Sequence, residues 1–245
     1  MAIRLDIWLV QNGFFESREK AQIAIAEEGI AINGKIVIKA AATVLATDTV
    51  EVLKRVLSYV SRGGTKLEKA ITEFQLDFAN KVVLDVGAST GGFTDCALQH
   101  GAAKVLAVDV GTGQLHPSLQ HHPQVRWWEG VHIRELTLEM LGSQVDIIVV
   151  DVSFISLQAV FPLLPKFLKK DGFLITLVKP QFEMEEKIRL KKGIVKNKNL
   201  HEQVLDKIAA SARACGFLLQ NRTSTDADGQ QKNLEYLAHW VRSGH

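Results

Sequence analysis

The passage VVLDVGASTGG, residues 82–92, constrains this chain most: five residues of buried-strand character run straight into a loop holding three glycines. A strand that stops at such a loop and restarts as a helix opens a βαβ unit, and βαβ units build parallel sheets. The rest of the chain from Lys81 follows suit. Strands are expected at Val82–Val86, Val105–Val108, Val125–Trp128, Asp146–Val150, Phe173–Val178, Phe217–Gln220 and Tyr236–Val241. Helices are expected near Gly92–Gln99, Ile133–Leu141, Leu157–Leu168 and Leu200–Cys215. This alternation predicts an α/β fold, a Rossmann-like, mostly parallel seven-stranded sheet with helices on both faces.

The loop itself suggests a ligand. Gly87, Gly91 and Gly92 remove side chains where backbone must approach one, and Ala88, Ser89 and Phe93 are candidate contacts beside them. The following helix offers free N–H groups and the positive end of its dipole. Asp109, ending the next strand seventeen residues after Gly92, is placed to accept hydrogen bonds from ribose hydroxyls. Residues 87–92 read GASTGG rather than the GxGxxG of dinucleotide enzymes, and Asp85 precedes the first glycine. That combination favours S-adenosylmethionine over NAD. Asp85 is expected near the sulfonium end, with capping of the glycine turn as the alternative. A tight turn without any ligand is the plainer reading of the loop.

Four ionisable groups sit where a sheet protein has no structural need of them. Lys66 follows the glycine pair of SRGGTK, Asp151 follows the run Asp146–Val150, Lys179 follows Phe173–Val178 in LVKPQFE, and Glu235 opens the last strand. Open α/β sheets build their sites at strand C-termini, so Asp151 and Lys179 are neighbours if the fourth and fifth strands pair. Methyl transfer to a sugar hydroxyl needs an in-line approach and a proton acceptor, and no metal. Desolvation and a neighbouring cation favour the neutral, accepting form of a lysine. Lys179 is the candidate base, Asp151 and Glu235 orient it, and Lys66 positions the hydroxyl. Singly, each is as well explained by an ordinary ion pair at a strand end; their joint placement on one edge argues for a site.

Composition removes several classes. With 245 residues, 47% hydrophobic and 23% charged, the chain can bury a large core, which excludes disorder. No apolar run approaches the ~18–20 residues of a membrane span, and the N-terminus lacks signal-peptide order, so a soluble, cytoplasmic protein without a membrane partner is expected. Cys96 and Cys215 stand in no metal or disulfide pattern and read as core residues. A net charge of +2 does not announce a nucleic-acid binder, so any such role rests on local clusters.

Residues 1–58 read as a small α+β domain with its linker, and 59–245 as the catalytic domain. Leu5, Trp8 and Leu9 recur at helical spacing, Ser17 is placed to cap a helix Arg18–Glu28 ending at Gly29, and Asn33-Gly34 predicts a tight hairpin. Thr43–Leu53 supplies more strand, and the polar stretch Lys54–Thr65 reads as the linker. Arg4, Arg18 and Lys20 at helix starts, together with Arg62, are candidate phosphate contacts. Between Lys187 and Lys198 stand six basic residues and no acidic one; Lys191 and Lys192 among them are candidate RNA contacts. Solvated helix ends and a solvated loop are the alternatives. Trp127 and Trp128 suggest base stacking, although at least one is expected in the core of a central strand.

Six segments together resemble a known family: RLDIWLVQNGFFESREKAQ, YVSRGGTKLEKAI, VLDVGASTGGFTDCALQHGA, VDVGTGQL, DVSFISL and LVKPQFE, spanning residues 4–182. They are similar to the TlyA/haemolysin A family. The catalytic half resembles FtsJ-like (RrmJ-type) 2′-O-methyltransferases, whose Lys-Asp-Lys-Glu tetrad matches Lys66, Asp151, Lys179 and Glu235. The resemblance implies an N-terminal S-four-type (αL) RNA-binding domain, the S-adenosylmethionine-dependent methyltransferase fold, and cytidine 2′-O-methylation of ribosomal RNA in assembled ribosomal subunits. The family shows Gly-Asn-x-Glu around the fourth tetrad member. Here Gln231-Lys-Asn-Leu-Glu235 keeps the Asn and the Glu but not the Gly. His132 stands where the family often carries Asn, and is a candidate adenine or ribose contact. Three rival readings are weaker. A non-catalytic ribosome-assembly factor has no need of the intact glycines and charged groups, haemolysin-like lysis lacks a span or cationic amphipathic helix, and an NAD oxidoreductase lacks the dinucleotide spacing.

Overall fold

The computed structural model describes residues 2–15, 17–27, 30–52, 59–184, 195, 197–225 and 233–243. The chain divides into two units, Met1–Leu57 and Ser58–His245.

The first unit contains β1 (Ile3–Arg4), α1 (Leu5–Gln11), α2 (Arg18–Glu27), β2 (Ile30–Ile32), β3 (Lys35–Val37), β4 (Thr43–Val44) and β5 (Val50–Glu51). Asn33 and Gly34 both take positive φ, 51° and 74°, the turn whose twist suits two antiparallel strands, and Ile32 pairs with Lys35 across it. β2 pairs β5, and β1 pairs β4. Leu5 and Leu9 of α1 meet Ala21 and Ile25 of α2, with Ile30 and Val44, in a small core. Each helical pair is four residues apart, the spacing that puts two side chains on one face. The expected helix end at Gly29 lies outside the described residues.

The second unit contains α3 (Arg62–Phe74), β6 (Val82–Val86), α4 (Gly92–Gln99), β7 (Lys104–Val108), α5 (Pro117–Gln120), β8 (Val125–Trp128), α6 (Leu138–Leu141), β9 (Val145–Val150), α7 (Leu157–Val160), β10 (Leu168–Val178), α8 (Pro180–Glu183), α9 (Lys198–Ala214), β11 (Phe217–Ser224) and β12 (Tyr236–Arg242). The seven-stranded sheet runs β11-β12-β10-β9-β6-β7-β8. β12 is antiparallel to both neighbours, and the pairs from β10 to β8 are parallel. Both faces are covered, so the central strands are mostly apolar, with Asp85 of β6 and Thr176 of β10 as buried polar exceptions. Leu84, Leu106 and Ile148 pack in one cluster with residues of α7 and α9; Val83, Val105, Ile147 and Val149 pack in the other with α3 and α4.

The structure differs from the expected elements in four places. α3 begins at Arg62, inside the stretch read as linker. Gly63 and Gly64 stand in its first turn, where a Cβ on Gly64 would strike Tyr59, while Leu67, Ala70 and Ile71 form the buried face. The helix expected over Ile133–Leu141 is confined to Leu138–Leu141, where the Thr137 hydroxyl caps the Met140 N–H. The one expected over Leu157–Leu168 passes at Phe161 into a short 3-10 turn carrying Pro162, which lacks an N–H donor, and Leu168 already starts β10. Finally, Trp127 and Trp128 lie on β8, an edge strand and not a central one. Trp127 is 37% exposed and Trp128 packs against the core with the Arg126 guanidinium over its ring.

Candidate active site

The strand order reverses between β6 and β9, which opens a crevice at their C-terminal ends. Gly87, at φ 84°, follows β6 there, and a Cβ on it would run into the Asp151 carbonyl. The glycine thus lets the ends of β6 and β9 close up, with the Asp151 N–H donating to the Val86 carbonyl at 3.0 Å. Gly92 serves a similar end: it abuts Ser61 and Gly64, so the N-termini of α3 and α4 meet beside the crevice.

Two cavities lie here. The larger, about 400 Å³, is walled by Asp109, Val110, Gln114, Val131, His132 and Ile133 among others. The smaller, about 190 Å³, is walled by Ser61, Lys66, Ala88, Phe93 and Lys179 among others, and both touch Gly87, Ser89, Asp151 and Ser153. In the larger, the Asp109 carboxylate accepts from the Ser89 and Gly111 N–H groups at 2.7 Å each. Glu129 accepts from three successive N–H groups, those of Gly113, Gln114 and Leu115, which hold its carboxyl below the usual range and fix the loop bearing Gln114. Largely apolar walls with two carboxylates beside them, those of Asp109 and Asp151, fit an adenosyl group.

Asp85 lines neither cavity. It is fully buried, accepts from the Thr94 hydroxyl at 2.7 Å, and its other oxygen has no hydrogen-bond partner among the described residues. Burial pushes its carboxyl up to about 7, and the charges of Asp151 and Asp109 add to that. Its observed contact is Thr94 of α4, the helix after the glycine loop. Gly91 also stays off both walls and leaves room for Leu115 and Leu119, while Phe93 is largely core.

The four charged residues converge in two pairs. β9 and β10 run parallel with Val150 beside Thr176, so both chains leave the sheet together and Lys179 reaches the Asp151 carboxylate at 2.5 Å. Tyr236 pairs with Val178, which delivers Glu235 to the same end of the sheet, where it accepts from Lys66 of α3 at 2.6 Å. Lys179 is only 10% exposed and also donates to the Ser153 hydroxyl at 2.9 Å. Sequence reasoning missed Ser153 and its neighbour Phe154. Phe154 holds φ 65°, is 91% exposed, and sits 5.1 Å from the Phe182 ring at the rim of the larger cavity. A lone aromatic in a loop carries no periodic signal that would have found it.

The RNA candidates fare differently. Arg4 and Arg18 converge on the buried Asp6 at 3.1 and 3.0 Å, joined by Gln22 at 2.7 Å, so both guanidinia hold the first unit together while remaining half exposed. Arg62 opens α3 and is partly buried. The side chain of Lys20, and all of Lys191 and Lys192, lie outside the described residues.

The FtsJ-like methyltransferase profile matches residues 59–242, and that of the S4 domain matches residues 3–50. The chain belongs to the FtsJ-like methyltransferase family. Within that family it falls in the TlyA/haemolysin A group. It is 42% identical over 240 residues to Hemolysin A of Brachyspira hyodysenteriae, covering 98% of this chain and 100% of that protein. It is 37% identical over 241 residues to the TlyA 16S/23S rRNA (cytidine-2′-O)-methyltransferase of Mycobacterium tuberculosis, covering 98% and 90%. A solved hemolysin-named structure from Streptococcus thermophilus superposes with a TM-score of 0.77 at 36% identity, covering 99% of this chain and 89% of that one. The Methanococcus jannaschii fibrillarin pre-rRNA processing protein, at a TM-score of 0.57 and 15% identity, shares the fold alone. No helix of the described residues in this FtsJ-like chain is long and apolar enough to cross a membrane.

Proposed function

We propose that this chain methylates the ribose 2′-hydroxyl of a cytidine in ribosomal RNA, in assembled subunits of the cytoplasm, with S-adenosylmethionine as donor. The observation that carries the reading is the cavity holding Lys66, Asp151 and Lys179 together, with Glu235 bonded to Lys66 and a shared wall to the adenosyl-sized cavity. The name of the Mycobacterium tuberculosis relative supports the same substrate class.

S-adenosylmethionine supplies an electrophilic methyl group when bound. Asp109 and His132 hold its nucleoside end, and the Gly87–Phe93 turn lets backbone approach the rest. Lys179, oriented by Asp151, faces the substrate hydroxyl and, as a neutral amine, would take up its proton as the methyl passes from sulfur to oxygen. Lys66, fixed by Glu235, positions the same hydroxyl. The site thus works mainly by orientation of reacting groups, which supplies a large part of the barrier reduction in such transfers. The S4 domain, with Lys20 and outward parts of Arg4 and Arg18, holds RNA by its phosphates; Arg62, Lys191 and Lys192 do so nearer the site.

The test is transfer of labelled methyl to ribosomal subunits lacking the modification, with Lys179→Ala compared at matched cofactor occupancy. Label on a ribose for the wild type and its loss in the variant is the expected result. Cofactor binding without any labelling of RNA by the wild type would leave an assembly factor instead.

A further inference from the structure

Lys179 Nζ has three directions open beyond its own side chain, and two of them are taken among the described residues by Asp151 and Ser153. The third is left for the cavity that all three residues line. With Asp151 alone, a nitrogen on a four-carbon stem swings about a single contact; a second acceptor stops that swing. Ser153 is also one of the few residues touching both cavities, so its hydroxyl stands where the two reactants meet.

The segment bearing Ser153 is held from the same direction. Glu183, at the far end of α8 from Lys179, is 4% exposed, and its carboxylate accepts from the Ser156 hydroxyl at 2.5 Å and the Leu157 N–H at 2.8 Å. Lys179 and Glu183 therefore grip residues 151–157 at both ends. Between them Phe154 takes its positive φ. Burying a carboxylate is costly, and burial pushes this one up despite its bonds, yet those bonds go to a loop beside the site.

We propose that Ser153 is a positioning residue for the transfer, its hydroxyl aiming Lys179 at the substrate oxygen, with Glu183 as the anchor that keeps Ser153 there. This rests on the methyltransferase reading above. It assigns purposes to two polar side chains outside the Lys-Asp-Lys-Glu set.

Single-turnover methyl transfer to unmodified subunits, with S-adenosylhomocysteine affinity and melting temperature measured in parallel, tests it. Ser153→Ala should lower the transfer rate constant about 10- to 100-fold, while KM for subunits and cofactor affinity stay within about twofold. Ser153→Thr keeps a hydroxyl and should recover to within about threefold of wild type. Glu183→Gln keeps one acceptor for the Leu157 N–H and should fall between them. Because Ser153 is exposed, the melting temperature should not move. An active wild type with Ser153→Ala at the same rate, or a loss that Thr does not recover, overturns this inference alone. A wild type that transfers no methyl overturns the methyltransferase reading, and the role of Ser153 with it.

Discussion

Lys66 and Glu235 stand 169 positions apart in the chain and meet at 2.6 Å, joining α3 to the start of β12. Both are mostly shielded from water, at 29% and 15% exposure, so the pair is more than a surface contact. If it acts as a unit, Glu235→Gln and Lys66→Ala should each slow methyl transfer about tenfold or more, and the double variant should lose little beyond the larger single loss. Additive losses in single-turnover assays would show instead that the two residues act independently.

Asp85 offers a pH signature. Its folded pKa is raised to about 7, so the folded state binds the proton more tightly than the unfolded chain. Its contribution to stability is complete below the unfolded value near 4 and declines as pH rises to about 7. Asp85→Asn removes that decline. Urea unfolding at pH 5 and pH 8 should show wild type losing about 2–3 kcal/mol relative to the variant, and parallel losses would mean the carboxylate is solvated in the fold.

Asp6 sits at the opposite limit. The hydrogen-bonded Arg4 guanidinium, with Gln22 and Arg18, holds its carboxyl well below the usual range. A depressed pKa stabilises the fold above the unfolded value near 4, and that stabilisation fades as pH falls below it. Asp6→Asn should weaken the first unit at neutral pH by about 1–3 kcal/mol. Hydrogen exchange of the α1 amides in the full chain reads this locally, and the gap between variant and wild type should narrow towards pH 3.

The sheet was legible because its strands are continuous apolar runs with a glycine loop or a charge at the end; β6 and β9 announce both themselves and their site residues. The nearness of Asp151 and Lys179 was legible on the condition that β9 and β10 pair, whereas the pairing of Lys66 with Glu235 depends on β12 inserting antiparallel beside β10. α3 was hidden because Gly63 and Gly64 carry low helix propensity, and packing against Tyr59 explains Gly64 alone. The phosphate-contact reading of Arg4 and Arg18 could not foresee their shared use of Asp6, which is fixed by the crossing of α1 and α2. Ser153 and Glu183 escaped because a loop hydroxyl and a single carboxylate in a four-residue helix acquire meaning only from their partners.

Phe154 gives the last test. A phenyl ring 91% exposed on a positive-φ backbone carries a conformational cost and gains little from burial to offset it. Folding alone offers no reason to keep it. Phe154→Gly relieves the backbone and should raise stability by about 1 kcal/mol. If the ring and Phe182 form a stacking face for a base of the substrate, the same change should weaken RNA binding by about 5- to 100-fold, the range of one lost base stack. Stability and affinity then move in opposite directions, which loss of packing cannot produce. A more stable variant with unchanged affinity for unmodified subunits would remove Phe154 from the RNA surface.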